Sequence, residues 1–426
     1  MIQRIVRRCA ALLGASLVLW GSLAGVAAAN EGLSGHIVYV NWSGNEIDQM
    51  VIDAFQRKYP NVTVEMQNRS SGQQYHENLL VSIATNTAPD LALIDFYEFP
   101  SFVAQGLVLD VTEWAERDGM ISYLQAELHP AVIGEMVKDG RYYSVANLRT
   151  GLDGLFYNKD LFDQAGMAYP SSQVGGWTWQ DWEEAARRLT RLRADGTVEQ
   201  VGLKVHEAFI WSFIRSNGGR LYNDDFTKAA YDEPAAIEAI EWLASLTQSQ
   251  VLAWNFQSGS FNGGTAAMNV EWVGGLVQTL RNTVAWDWDI APLPAGKAGS
   301  IQTMKGNPVA IPVNAPNPEL AWEFMKFLSS EEALAIYGTH GRFFPLHRSA
   351  LLRVMQESAG LPPRNLATML EWHAEPLPFV PGIYDIYWMR REQLRPVWQG
   401  TVPARNAALQ IAELSVGILA EARGGN

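Results

Sequence analysis

From His36 to Ile94 the apolar residues switch repeatedly between two periods, and this switching restricts the fold more than any other feature. His36–Val40 (HIVYV) reads as a strand. Ile47, Met50, Val51, Ala54 and Phe55 then recur at helical spacing until Pro60-Asn61 stops the helix. Val62, Val64 and Met66 alternate as a second strand. Gln73–Thr85 reads as a helix with Leu79, Leu80 and Ile83 apolar, and Leu91–Ile94 as a short buried strand. Strands alternating with helices predict a parallel sheet covered on both faces. Such sheets bind ligands beyond the carboxyl ends of their strands. Two segments fall there, Asn41-Trp42-Ser43-Gly44 and Asp95-Phe96-Tyr97, each with an aromatic beside polar groups. Glu46 stands at the start of the first helix, where it suits a ligand or, equally, the positive helix N-terminus.

A chain of 426 residues exceeds one ordinary core. The passage between cores is read at Gly140–Phe162, GRYYSVANLRTGLDGLFYNKDLF. A turn at Asp139-Gly140 leads into an extended segment, and Gly151 and Gly154 precede the apolar run Leu155-Phe156-Tyr157. Glycines between strand-like runs suggest a strand that bends, or two strands in different sheets. Arg149, Thr150 and Asp153 then lie near a cleft.

Beyond it, Thr178-Trp179-Gln180-Asp181 is a capping-box pattern opening a helix to about Arg193. Val201–Val205 reads as a strand, Ala208–Ser216 as a short helix carrying Trp211, and Pro234–Gln248 as a long helix. Ala266–Val270 is a strand with Glu271-Trp272 at its end, followed by a helix over Val273–Arg281. This gives a second α/β lobe over about 155–285. Trp288–Leu293, ending in Pro292–Gly296, is a candidate second crossing. Val309–Val313 is a strand, Asn317-Pro318 opens a helix, and Gly341-Arg342-Phe343-Phe344-Pro345 reads as an exposed break before further helices.

The N-terminus reads as a secretory signal. Arg4, Arg7 and Arg8 precede the apolar run Ala10–Leu23, and Ala27-Ala28-Ala29 offers a cleavage site before Asn30. That run is too short to span a membrane. The only cysteine, Cys9, lies in the signal, so no cysteine follows to carry a lipid, a disulfide or a metal. The remaining chain has 45 acids against 29 Lys and Arg, a formal charge of −16. This balance argues against nucleic acid as the main partner. A periplasmic protein without a lipid anchor is expected.

No nucleotide-binding glycine loop, zinc-protease motif or nucleophile elbow is present. The seven histidines lack ligand spacing, and no cofactor, metal site or catalytic residue is expected. Carboxylates are plentiful, yet no pair stands out as a hydrolase dyad. Tryptophan is more telling, at 16 residues, several times ordinary usage. Trp182, Trp242 and Trp322 fall on helices and suit a core. Trp42, Trp211, Trp254 and Trp272 fall at element ends or loops near the expected cleft. Indole faces suit the C–H faces of sugar rings, and charged groups around them can bind hydroxyls.

Several stretches together resemble the extracellular solute-binding proteins of family 1, the sugar receptors of ABC importers of the maltose- and trehalose-binding type. These are Phe55–Val64 (FQRKYPNVTV), Ala88-Pro89-Asp90-Leu91 with Asp95, Leu155–Phe162 (LFYNKDLF), Gly263–Met268 (GGTAAM), Ala291–Pro294 (APLP), and Asn317–Phe324 (NPELAWEF) continuing to Leu328. Their order and spacing carry the resemblance over nearly the whole mature length.

The resemblance implies an α/β fold of the two-lobe periplasmic-binding-protein type (type II-like). Each lobe would be a mainly parallel sheet flanked by helices, joined by hinge crossings and closing around ligand. The expected division is 30–149 plus 294–328 for the first lobe and 150–293 plus 329–426 for the second. The protein would be a monomer that captures a carbohydrate and delivers it to permease subunits in the inner membrane. Glu46, Asp95, the segment near Arg149, Trp272 and the Gly306-Asn307 turn would fall at sugar contacts, with Trp272 as stacking platform. Lys305-Gly306-Asn307 departs from the Gly-Gly-Trp-like turn of that family and removes one expected aromatic. Trp42, Ser43, Tyr97, Asp153 and Trp211 complete the candidate set, with Arg342 at the mouth. Arg149 and Arg342 could instead select a phosphorylated, sulfonated or uronic ligand. An exported glycan-cleaving enzyme is a further alternative.

Overall fold

A computed structural model describes residues 32–42, 44–69 and 72–424. The signal segment and Ser43 lie outside the described residues. The first lobe begins with β1 (Gly35–Trp42), α1 (Glu46–Lys58), β2 (Val62–Arg69), α2 (Gln73–Ala84) and β3 (Leu91–Leu93), the alternation read from the sequence. β1 pairs in parallel with β2 and with β3. Asn45 starts α1: its side chain accepts from the Ile47 and Asp48 amides, and Asp48 accepts from the Asn45 amide in return. This capping box satisfies helix donors that would otherwise be orphaned. Ile47, Val51, Ile52, Ala54 and Phe55 form the buried face of α1.

The crossing is a single strand, β4 (Ala146–Asn158), thirteen residues long and buried almost throughout. Next come α3 (Trp179–Leu189), β5 (Val198–Val205), α4 (Ile210–Ser216), α5 (Pro234–Gln248), β6 (Leu252–Trp254), β7 (Ala266–Trp272) and β8 (Trp288–Ala291). β5 pairs in parallel with β6 and β7, while β7 and β8 pair antiparallel with β4. Thr178 and Asp181 form the expected capping box. The helix stops at Leu189 because Arg191–Leu192 pairs with β5. The return crossing is β9 (Gln302–Ala310), which opens earlier than the strand expected from Val309. Its first half, Gln302–Asn307, lacks polar/apolar alternation because both faces are covered.

One sheet therefore runs through both lobes in the order β2-β1-β3-β9-β4-β7-β5. β1–β3 and β5–β7 run parallel within their lobes, while β4 and β9 pair antiparallel with each other and with β7 and β3 respectively. Between Lys305 and Asn307 their register shifts. Arg149 and Thr150 oppose Gly306 there as a β-bulge, and Arg149 takes a left-handed φ of 53°. The bend expected at the glycines is centred on this bulge.

The tail adds α6 (Pro318–Leu328), α7 (Glu331–Thr339), α8 (Arg348–Glu357), α9 (Ile383–Trp398) and α10 (Ala404–Gly424). Its packing is divided between the lobes. The buried side of α7, with Tyr337, faces α1, and His347 meets Tyr123. α9 and α10 cover the second lobe beside α5. Between them, Gln302–Met304 of β9 pairs with Ala374–Pro376, a third passage between lobes.

Candidate functional site

The carboxyl ends of β1 and β3 and the bulge of β4 and β9 converge on the crossing, opposite the carboxyl end of β7. Gly151 lies against Trp272, where an added Cβ would sit 3.2 Å from the Trp272 Cβ. Gly274 lets the turn after Trp272 approach the backbone of Phe343 and Phe344. Arg342 is thereby brought to the same floor.

At one end of this floor, Arg149 donates from Nη2 to the Trp42 carbonyl at 2.7 Å and lays its guanidinium on the Trp42 ring, 5.1 Å from the centroid. Asp48 is buried beside it. Its carboxylate accepts from the Tyr337 hydroxyl at 3.2 Å and meets Arg342 Nη2 at 3.5 Å. Burial, then the neighbouring Arg342, lowers the pKa of Arg149. Trp42 also meets Tyr75 and His76 edge-on. His76 Nε2 accepts from the Asp95 amide at 3.2 Å, and the Asp95 carboxylate accepts from the Tyr97 amide at 3.0 Å.

At the other end, Lys305 places its ammonium 3.8 Å from the Trp272 ring centroid and 5.0 Å from that of Phe96. Trp272 packs on Phe209 and His206. Burial, with Lys305, Arg391 and Arg390 nearby, pushes the His206 imidazole down to about 4. The neutral ring accepts from the Ala208 amide at Nδ1. Burial pushes the Glu271 carboxyl up to about 7 against the favourable Trp272 amide and Lys305 charge. Tyr97 reaches across the cleft to Tyr387 of α9, with ring centroids 4.8 Å apart.

Trp42, Arg149 and Arg342 thus gather around Asp48, while Asp95, Tyr97 and Trp272 gather around Lys305. Glu46 is exposed beside them, on a groove of about 490 Å³ shared with Met50, Gln278, Arg281 and His340. Gly306 sits under the floor, where an added Cβ would meet Asn147 Oδ1 at 2.0 Å. Asn307 is buried with its Oδ1 unpartnered.

Two candidates lie elsewhere than expected. Asp153 is fully buried between β4, α4 and β9, accepting from the Ser212 and Thr303 hydroxyls. Burial pushes its carboxyl up to about 7. Trp211 is core: its indole N–H donates to Tyr231, and its face carries the buried Arg390 guanidinium. Sequence reasoning did not select Asp48, Lys305, Glu271, Phe96 or His206. Lys305 and Glu271 adjoin selected residues, and that adjacency was the available signal. Among the described residues no group of acids and histidines is placed to hold a metal, and no helix is long and apolar enough to cross a membrane.

Residues 41–335 match the model of the bacterial extracellular solute-binding protein family, and the chain belongs to that family. Among curated relatives, a putative binding protein of Brucella abortus is 23% identical over 286 residues, covering 64% of this chain and 66% of the relative. An arabinooligosaccharide-binding protein of Halalkalibacterium halodurans is 22% identical over 314 residues, covering 70% and 67%. The chain thus spans about two thirds of the relatives it matches. An ABC substrate-binding protein from Listeria monocytogenes, solved with cycloalternan, superposes with a TM-score of 0.78 at 22% identity. That match covers 91% of this chain and all of that one. This likeness establishes the two-lobe α/β fold.

Proposed function

We propose that the protein is the substrate-binding component of an ABC importer, capturing a sugar or oligosaccharide between its lobes and delivering it to a membrane permease without chemistry. The observation that carries this reading is the gathering of Trp272, Phe96 and Tyr97 at one end of the crossing strands, with Asp95, Glu271 and Lys305 beside them. Apolar faces with charged hydrogen-bonding groups in their plane match a sugar ring and its hydroxyls. The carbohydrates named for the Listeria and Halalkalibacterium proteins support the same ligand class. The signal-like N-terminus supports a periplasmic location, and in this reading the protein serves permease subunits in the inner membrane as a monomer.

Ligand that binds only the native state stabilises it, by about 2.7 kcal/mol at a hundredfold excess over Kd. Thermal unfolding of the purified exported protein against a glycan panel, followed by mass spectrometry of the glycans, tests the reading. A raised melting temperature with intact glycan is expected. Cleaved glycan would establish an enzyme instead, and a panel without any shift would refute a carbohydrate ligand.

A further inference from the structure

Lys305 leaves β9 at the bulge and lies on the indole of Trp272, with Tyr97 a third ring at 5.9 Å. Among the described residues no carboxylate oxygen comes within 4.0 Å of its ammonium, and no acceptor takes its protons. Aromatic faces attract a cation but are weak acceptors for its N–H groups. The donors of Lys305 are therefore unspent. Burial lowers the pKa of Lys305, and the nearby carboxyls of Asp95, Glu271 and Glu135 act against that by charge. Burial pushes Glu135 well above the ordinary range and Glu271 to about 7. The geometry that remains is an ammonium held on aromatic faces with no hydrogen-bond acceptor among the described residues.

Position matters as much as charge. An ammonium over the Trp272 centroid covers the face on which a neutral pyranose would stack. A neutral ring must displace it. A ring carrying a carboxylate can pair with it in place, through charge-assisted hydrogen bonds about twice as strong as neutral ones. We propose that Lys305 sets ligand choice, so that the cleft takes a glycan bearing a carboxylate, a uronic sugar, over its neutral counterpart. The inference rests on the receptor reading above and names the ligand class of the same site.

The test is titration calorimetry of the exported protein with galacturonate and glucuronate disaccharides and with the methyl esters of the same sugars. The ester removes the charge and leaves the ring unchanged. The acid should bind about tenfold tighter than its ester. Lys305→Met should bring the acid down to the affinity of the ester, and Lys305→Arg should keep the preference. Equal affinities for acid and ester would overturn the proposal and leave the receptor reading intact. A Lys305→Met loss as large for the ester as for the acid would do the same. If neither these nor any neutral glycan bound, both would fail.

Discussion

The two ends of the cleft floor carry cations in opposite circumstances. Around Asp48 the charges are engaged: Arg342 faces a buried carboxylate, Tyr337 adds a hydrogen bond, and Arg149 is tied to the Trp42 carbonyl. Around Trp272 a single ammonium lies on rings without a hydrogen bond. A buried charge with its partners in place is fixed, because removing one partner strands the other. A cation on aromatic faces keeps its donors for a ligand. The first end therefore reads as the anchor that holds α1, α7 and the crossing together, and the second is the end that our proposal assigns to the ligand.

Asp48→Ala is the harshest way to break this contrast. It removes the Arg342 pair, the Tyr337 bond and half of the α1 capping box, and it leaves Arg149 and Arg342 facing each other. A stability loss of roughly 4 kcal/mol is expected in urea unfolding, and a loss below about 1 kcal/mol would show that this end is no anchor. Trp272→Ala should do the reverse. Trp272 is half-buried, so unfolding should change modestly, while glycan affinity falls by about a hundredfold. Calorimetry that found unchanged affinity would move the ligand away from Trp272.

Asp153 sharpens the boundary between floor and interior. Its carboxyl titrates near 7 when folded and near 4 when unfolded. Between those values the native state holds a proton that the unfolded chain has released, so this group lowers stability as pH rises from about 4 to 7, then levels off. Asp153→Asn removes that slope. Measured against wild type at pH 5 and pH 8, the variant should gain roughly 2 kcal/mol at the higher pH. A constant difference would show that Asp153 titrates normally, as a residue open to the cleft would.

What the sequence disclosed follows from which signals are local. The first lobe was legible because each element of 36–94 has its own period, and Pro60-Asn61 stops α1. The crossing strand Ala146–Asn158 falls within the run Gly140–Phe162, where glycines between strand-like segments pointed to a bend. The early start of β9 escaped, since Gln302–Asn307 is covered on both faces and so lacks alternation. For the site, Trp42, Asp95 and Trp272 were reachable because strand ends are readable. Trp211 and Asp153 were misjudged in place because an aromatic or acid near a strand end faces cleft or core according to tertiary neighbours, here Tyr231 and Arg390 or Ser212 and Thr303. Lys305 escaped for the complementary reason. Its cage is built from Phe96, Tyr97 and Trp272, which are distant in the chain.

The smallest expected effect lies between the two ends, at the bulge that sets their spacing. Gly306 has no room for a side chain, because a Cβ would meet Asn147 Oδ1 at 2.0 Å. Asn147 cannot simply swing away, since its Nδ2 donates to the buried Glu135 at 2.9 Å. Gly306→Ala must therefore strain the bulge or break that bond, at about 1–2 kcal/mol. Asn147→Ala alone removes the bond. Adding Gly306→Ala to Asn147→Ala should then cost almost nothing, because the obstructing group has gone. That non-additivity is the signature of a shared contact. Full additivity in urea unfolding would mean that backbone strain, not Asn147, excludes the side chain. The bulge would then hold Arg149 and Lys305 apart by its own geometry.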